Sequence, residues 1–264
     1  MIDIVAEDLA VNFRGGHAAV DGVCFRIAAG EFVSIVGPSG CGKSTLLRLI
    51  AGLIAPTRGS LTVAGRSPAE NRKKAHRLSF VFQEPNLLPW RTVADNIRLP
   101  LELQGVPADR QRALIAESLR LIGLQPSDVS KRPAMLSGGM KMRVSLARAL
   151  VTSPNLILLD EPFAALDDLM RTQLNEELNR LWNQQQWTSV FVTHNVAEAV
   201  YLSQRVLVMS PSPGRIIAEV DIPFGLTRPS DLRSDARFAR LCGEVSQILR
   251  TGAVLTCDRG GPTG

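Results

Sequence analysis

The chain has 264 residues, of which 45% are hydrophobic and 21% charged, and this composition excludes a largely disordered protein. Its net charge of +5 is spread over short basic groups without interleaved aromatic side chains, so we predict no nucleic-acid partner. No window approaches about eighteen apolar residues and the N-terminus lacks a signal-peptide pattern, so no membrane span is expected.

The basic residues cluster modestly at residues 72–74 and recur from Arg228 onward. A solvated face is the favoured interpretation, and contact with anionic lipid headgroups or an acidic partner is the alternative. The four cysteines lack metal-ligand spacing and a disulfide framework, which predicts reduced thiols in a cytosolic protein. If such a protein works at a membrane, another chain must hold it there.

Short apolar runs predict strands buried on both faces of a mostly parallel sheet, at residues 31–36, 78–82, 156–160, 189–193, 205–209 and 215–220. Helical patterns alternate with them, at residues 43–50, 109–122, 139–152, 169–185 and 196–202. This alternation predicts an α/β fold. Residues 84–153 show helices and no convincing strand, which predicts an inserted helical subdomain. After residue 224 the chain becomes polar and basic, with one predicted helix at residues 235–249.

The first of these strands leads into the loop Gly-Pro-Ser-Gly-Cys-Gly-Lys-Ser at residues 37–44, and a helical pattern follows. That is the context a G-x-x-x-x-G-K-[ST] phosphate-binding loop requires. Its glycines let successive N–H groups point inward, above the positive end of the helix dipole. We expect Lys43 to reach the β- and γ-phosphates and Ser44 to bind Mg²⁺. The predicted nucleotide contacts are Gly37, Pro38, Ser39, Gly40, Cys41, Gly42, Lys43, Ser44 and Thr45.

A second candidate element is the pair of acids that ends the apolar run at residues 156–160. Asp160 is placed to hold Mg²⁺ directly or through water, and Glu161 is the candidate general base for the attacking water. Two solvated acids at a strand exit would look similar. Beside a phosphate loop the catalytic interpretation is favoured, and the second acid favours hydrolysis over phosphoryl transfer to a small molecule.

Between these motifs, residues 136–140 read Leu-Ser-Gly-Gly-Met before a helical pattern, which resembles the signature motif of ABC ATPases. Each motif alone has a structural alternative, such as a helix cap or a strand exit. Their joint, ordered occurrence favours the family. The other residues that resemble its motifs are Phe13 for the adenine-stacking aromatic, Gln83 for the Q-loop, Asp167 for the D-loop and His194 for the switch histidine.

The resemblance implies a P-loop NTPase cassette, with a RecA-like mostly parallel core, an antiparallel β part and the inserted helical subdomain at about residues 84–153. The nucleotide-binding domain would cover residues 1–225 and a C-terminal extension residues 226–264, with a flexible tail after residue 258. The cofactors would be ATP and Mg²⁺, with Ser44, Gln83 and Asp160 at the metal. Catalytic roles would fall to Glu161, His194 and Gln83.

The family's mode of action also implies partners. Ser137, Gly138 and Gly139 would bind the ATP held by a second copy of the chain, in a head-to-tail homodimer in which Asp167 helps to join the two sites. Two positions depart from the family pattern, since Met140 replaces the usual glutamine and Asn195 stands where aspartate is common. We expect activity to survive because the phosphate donors are serine and glycine. Cys41 is interpreted as a small filler rather than a reactant.

The absence of a fused membrane domain, a second cassette or a coiled coil leaves a stand-alone importer cassette or a soluble assembly ATPase. Residues 83–97, 208–216 and 228–235 are similar to nitrate/sulfonate/taurine-type importer ATPases, which favours the importer. The resemblance implies integral membrane permease subunits, a solute-binding protein, a small anionic solute and a peripheral place on the cytoplasmic membrane face. Trp90 would contact the permease or, alternatively, pack within the helical subdomain.

Overall fold

The structure is a computed structural model that describes residues 2–13, 18–73 and 78–252. Its strands are β1 (Ile4–Asn12), β2 (Ala18–Ile27), β3 (Phe32–Val36), β4 (Arg58–Val63), β5 (Leu78–Val81), β6 (Leu156–Asp160), β7 (Thr188–Thr193), β8 (Arg205–Met209) and β9 (Ile216–Asp221). Its helices are α1 (Lys43–Ile50), α2 (Pro68–Lys73), α3 (Val93–Leu103), α4 (Ala108–Leu121), α5 (Gly138–Leu150), α6 (Asp168–Gln185), α7 (Val196–Leu202) and α8 (Ala236–Thr251). The tail predicted to be flexible after residue 258 lies outside the described residues.

The centre of the fold is a six-stranded sheet in the order β5-β6-β7-β3-β8-β9. All neighbouring strands pair in parallel except β8 and β9, which pair antiparallel. Strands β3 and β7 are buried along their whole length, because helices cover both faces of a parallel sheet. The predicted α/β class is therefore confirmed. The carboxyl ends of the parallel strands meet at one edge, where the candidate site lies.

A separate three-stranded antiparallel sheet, in the order β2-β1-β4, lies beside this core. The sequence patterns gave no ranges for these strands, because β1 carries charged Glu7 and Asp8 in mid-strand and its ladders are interrupted by register shifts. Its inward side chains, among them Leu9, share one hydrophobic cluster with α1 and with one face of the central sheet. The antiparallel sheet is thus packed directly behind the phosphate loop.

Residues 84–153 contain α3, α4, α5 and two short 3₁₀ turns, and no strand. Their apolar side chains form a cluster of their own, centred on Ile97 and Val144. Helix α3 was missed from sequence because Pro100 interrupts its pattern and buried Asn96 occupies an inward position. The Asn96 side chain donates to the backbone of the preceding loop, which removes the cost of burying an amide.

The segment after β9 folds back onto the central core. Helix α8 packs against α7 and β8, and its side chains Phe238, Val245 and Ile248 belong to the same hydrophobic cluster as the sheet. The hydroxyl of buried Tyr201 donates to the carbonyl oxygen of Arg228 at 2.7 Å, which fixes the start of this segment. Among the described helices, none has the length and apolar character needed to cross a membrane.

Candidate active site

The phosphate loop connects buried strand β3 to helix α1. Gly42 occupies the position before the helix with φ of 100°, a conformation that side chains disfavour. A Cβ atom there would also lie 2.6 Å from the carbonyl oxygen of Ala19, so only glycine fits. Because no side chain caps α1, its first N–H groups stay available to an anion.

Lys43, the first residue of α1, is buried with its side chain 4% exposed. Its ammonium donates to the carbonyl oxygens of Gly37 and Pro38, each at 2.9 Å, and lies 3.5 Å from Oε1 of Glu161. These oxygens satisfy the buried charge within the loop. To bind phosphate oxygens, the ammonium must therefore give up some of its contacts with these carbonyl and carboxylate oxygens.

Ser44 and Asp160 meet across the junction of α1 and β6. The Ser44 hydroxyl donates to Oδ1 of Asp160 at 2.8 Å. Burial raises the pKa of the Asp160 carboxyl, and the neighbouring charge of Glu161 raises it further, while the Ser44 hydrogen bond opposes the rise. No group of three or more His, Cys, Asp and Glu side chains in the described ranges could hold a metal. These two oxygen-bearing side chains suit a hard Mg²⁺ ion that takes its remaining ligands from phosphate and water.

Glu161 follows β6 with a positive φ of 46°, held by its N–H donating to the carbonyl oxygen of Val192 at 2.9 Å. Its Oε2 lies 2.9 Å from Nδ1 of His194, which stands at the end of neighbouring β7. The His194 side chain is 55% exposed. Glu161 therefore joins Lys43 on one side to His194 on the other, and its carboxylate can accept a proton at the edge where phosphate would lie.

A buried contact network behind His194 was not found from sequence. Glu198 on α7 accepts from the Thr193 hydroxyl and lies 3.5 Å from Nε of Arg171 on α6. Arg171 also donates to the carbonyl oxygen of Leu166 at 2.9 Å. Burial raises the pKa of the Glu198 carboxyl, although Thr193 and Arg171 oppose the shift. The segment before α6 and the segment carrying His194 are thereby fixed to each other.

Ser137 caps the N-terminus of α5, and Asp167 caps the N-terminus of α6. The Ser137 hydroxyl accepts from the N–H of Met140 at 3.3 Å, and Asp167 accepts from the N–H of Met170 at 2.9 Å. A Cβ on Gly139 would lie 2.7 Å from the sulfur of Met170, so the first turns of α5 and α6 pack against each other. Ser137 and Gly138 are exposed. In the described part of the chain, no hydrogen bond or ion pair joins them to the phosphate loop.

Thr45, on α1, is buried, whereas Gln83, Phe13 and Trp90 lie at the surface. Gln83 is exposed two residues beyond β5, at the same edge of the sheet as Asp160. Phe13 is 44% exposed and directly follows β1. Trp90 is 69% exposed, so packing inside the helical subdomain does not account for most of its surface.

The two departures from the family pattern have structural roles. Asn195 caps α7, since its side chain accepts from the N–H of Glu198 at 3.2 Å, and asparagine caps as well as aspartate. Met140 packs against the hydrophobic cluster of the helical part. Cys41 is 1% exposed, and burial raises the pKa of its thiol, which suits the filler role predicted for it.

The chain is similar to known proteins over most of its length. The protein-family model described as ABC transporter matches residues 20–164. The chain is 45% identical over 232 residues to the aliphatic sulfonates import ATP-binding protein SsuB 1 of Mesorhizobium japonicum, covering 88% of this chain and 83% of that protein. It is 44% identical over 230 residues to the bicarbonate transport ATP-binding protein CmpC of Synechocystis sp., covering 84% of this chain. The match spans 33% of the length of CmpC, so the chain corresponds to about a third of that relative.

The fold is also similar to that of a solved structure. The dimeric post-hydrolysis state of the ATP-binding cassette MJ0796, bound to ADP and Pi, superposes with a TM-score of 0.73 at 31% identity. The match covers 84% of this chain and 100% of that one. The predicted P-loop cassette fold is confirmed by this similarity.

Proposed function

The chain belongs to the ABC transporter family and is an ABC-type ATPase, and from that premise we propose that it is the energy-supplying subunit of an importer. ATP binding would close a homodimer, and hydrolysis would reset it, which drives uptake of a small solute through separate membrane subunits. The relatives above are named as import or transport ATP-binding proteins, which favours this function over a soluble assembly ATPase.

The observation that carries the proposal is the chain of contacts from Lys43 through Glu161 to His194. These contacts support the proposal, because Lys43 would then act as the cation for the phosphates, Glu161 as the base and His194 as the orienting imidazole, all on one edge of the sheet. Ser44 and Asp160 stand beside them as the candidate Mg²⁺ ligands, and bound Mg²⁺ would offset charge on the phosphate oxygens. We assign Gln83 to the same metal and water, and Phe13 to the adenine ring.

The proposed working unit is a dimer of two copies. The N-terminus of α5, at Ser137 and Gly138, is exposed and has N–H groups that suit a phosphate. Within the described residues, no hydrogen bond joins it to the phosphate loop of the same chain. A second copy arranged head to tail would bring these groups onto the ATP held by the first. The similarity to a dimeric cassette bound to ADP and Pi supports this arrangement.

The proposed membrane partner would dock beside the segment that follows Gln83. Trp90 and Leu103 are exposed by 69% and 80%, and Leu103 lines a groove with Phe80 and Arg148. Large exposed apolar side chains around a groove are typical of a helix-binding surface. We propose that permease subunits hold the chain at the cytoplasmic membrane face, because its relatives are named as import and transport ATP-binding proteins.

The proposed solute is a small anion of the sulfonate or bicarbonate type, because the relatives named above are described by those two solutes. A separate solute-binding protein would select it outside the membrane. The domain division at residue 225 also stays a proposal, and the helical part would carry both the dimer contact and the permease contact.

The dimer is tested with Ser137→Arg in a Glu161→Gln background. Glu161→Gln alone should bind ATP and elute as a dimer, whereas the double variant should bind ATP and remain a monomer, because the arginine blocks the site acting across the dimer. Ser230→Arg in the same background is the control, since Ser230 is an exposed residue of the C-terminal segment. Light scattering after size exclusion gives the mass. A dimeric double variant would contradict the head-to-tail arrangement.

The membrane partner is tested by isolating the native protein with intact membranes. We expect it to cosediment with integral subunits, and Trp90→Ala to lower the bound fraction while ATP hydrolysis by the free protein is kept. Leu53→Ala, which removes another half-exposed apolar side chain, is the control. If the native protein floats free of membranes and copurifies with no integral subunit, the importer function is refuted, while the assignment as an ATPase is unaffected.

A further inference from the structure

The turn that joins β8 to β9, residues 210–215, lies directly against the phosphate loop. Gly214 in this turn is buried, and a Cβ atom added to it would stand 1.9 Å from the carbonyl oxygen of Cys41. Real Cβ atoms never approach an oxygen so closely. Gly214 has no left-handed φ, so the position needs glycine for space and not for backbone conformation.

Backbone hydrogen bonds fix Gly214 to the antiparallel sheet. Its N–H donates to the carbonyl oxygen of Ala19 at 3.0 Å, and its own carbonyl oxygen accepts from the N–H of Asp21 at 3.1 Å. The same Ala19 oxygen is the atom that a Cβ on Gly42 would meet at 2.6 Å. Ala19 thus touches the loop at Gly42, while Gly214 touches it at Cys41.

The other end of the loop is held by β8. A Cβ on Gly37 would lie 3.0 Å from Cβ and 3.2 Å from the carbonyl oxygen of Met209. The turn itself is closed by the N–H of Ser210 donating to the carbonyl oxygen of Arg215 at 2.9 Å. Arg215 also pairs with the carboxylate of Asp21. The loop is therefore in backbone contact with β2, with the end of β8 and with the turn.

We propose that Gly214 is a positioning residue for the phosphate loop. The turn at residues 210–215 acts as a brace that sets the shape of residues 37–42, and through that shape the affinity for the phosphates of ATP and ADP. The inference rests on the proposed nucleotide-binding function of the loop. It gives a structural role to the Ser-Pro-Ser-Pro-Gly-Arg stretch, which the catalytic arrangement leaves unused.

The physical reason is that an anion nest works by the direction of its N–H groups. A methyl group at Gly214 has to displace either the Cys41 carbonyl or the turn, and a backbone carbonyl cannot move without rotating the peptide group to which it belongs. The N–H of Gly42 belongs to that same peptide group. A displacement of about 1 Å in groups that position a substrate is enough to cost roughly a hundredfold.

The test compares Gly214→Ala with Gly225→Ala in the full chain. Gly225 also lacks a left-handed φ, but a Cβ on it meets nothing within 4 Å. For Gly214→Ala we expect the Kd for ATP and for ADP to rise at least tenfold, and the KM for ATP to rise with it, while kcat at saturating ATP stays within about threefold. Gly225→Ala should match the wild type in all of these.

Hydrogen exchange gives a second measurement on the same proteins. The amides of residues 37–44 should exchange faster in Gly214→Ala, whereas those of α6 should not. A global loss of folded protein would instead lower apparent kcat with KM unchanged and would expose α6 as well. An unchanged Kd and unchanged exchange would overturn the brace, whereas a global loss of fold leaves the decision to a second variant, Arg215→Gln.

Arg215→Gln is the milder variant if Gly214→Ala does not fold. It removes the exposed ion pair with Asp21 without adding an atom near the loop, and we expect ATP affinity to fall by about two- to threefold. An unchanged Kd for ATP in Arg215→Gln would overturn the brace. Because the wild type is measured beside the variants, a wild type that fails to bind ATP would refute the proposed function instead.

Discussion

Replacing Glu161 by glutamine separates nucleotide binding from hydrolysis. The glutamine keeps the size of the side chain and the contact to His194, but it cannot accept a proton from water as a carboxylate does. A positioned general base contributes about 10²- to 10⁴-fold to the rate, so turnover should fall by that factor. ATP binding should survive, because the loop and Lys43 are intact.

The contacts of Glu161 also predict a change in affinity. Its Oε1 lies 3.5 Å from the Lys43 ammonium, where two unit charges interact by about 5 kcal/mol at an effective dielectric constant of about 20. Solvation of the two groups offsets most of this, and a net value of about 1 kcal/mol is typical of such a contact. Removing the negative charge frees Lys43 for the phosphates, so ATP should bind roughly fivefold more tightly.

The assay measures phosphate release at saturating ATP and equilibrium binding of ATP to the same preparations. Glu244→Gln is the matched control, because Glu244 is an exposed glutamate on α8. Retention of more than about a tenth of wild-type turnover by Glu161→Gln would remove Glu161 from the base role. ATP affinity weaker than that of the wild type would refute the competition between Glu161 and phosphate for Lys43.

Three further predictions test other parts of the molecule. Burial raises the pKa of the Glu198 carboxyl in the folded protein above its ordinary 4.5. The folded state therefore binds this proton more tightly than the unfolded state, and the resulting stabilisation is complete below pH 4.5 and is lost as pH rises through the folded-state pKa. Glu198→Gln should therefore gain stability relative to the wild type as urea unfolding is repeated from pH 4.5 upward, and a pH-independent difference would contradict the raised pKa. Iodoacetamide should alkylate buried Cys41 at least tenfold more slowly than exposed Cys24 at pH 8, as followed by mass spectrometry, and equal rates would refute the filler role. Leu178→Ala should cost about 2–5 kcal/mol of unfolding free energy, because Leu178 is 1% exposed, whereas Leu169→Ala at a 71% exposed position should change it by less than about 0.5 kcal/mol.

The buried parallel strands were predictable because a strand covered on both faces needs an uninterrupted apolar run. The predicted strand at residues 156–160 has the observed bounds of β6, and that at residues 205–209 those of β8. Strand β1 was not predictable in this way, since one side of it faces solvent and Asp8 stands in it with a positive φ of 46°. A strand that carries charges in its middle and is interrupted by register shifts has no simple period, even though β1 is the central strand of its sheet.

Some features of the candidate site were likewise predictable from sequence, and others were not. Lys43, Ser44 and Glu161 lie in short motifs whose chemistry is local in sequence, so their grouping could be predicted. The contact between Arg171 and Glu198 joins residues on two helices, and the approach of Gly214 to Cys41 joins parts of the chain far apart in sequence. Such contacts depend on the packed tertiary structure, and no spacing rule in one sequence points to them.

Helix α5 connects two separate parts of the surface, one at its N-terminus and one near its C-terminus. Ser137 caps its N-terminus, and near its other end the guanidinium of Arg148 donates to the carbonyl oxygens of Pro85 and Asn86 at 2.7 Å and 2.8 Å. Residues 138 and 148 of one helix are about 15 Å apart along its axis. In the proposed dimer, a displacement of the N-terminus of α5 by the partner's nucleotide would be transmitted along one continuous helix and through the two Arg148 hydrogen bonds to the segment after Gln83.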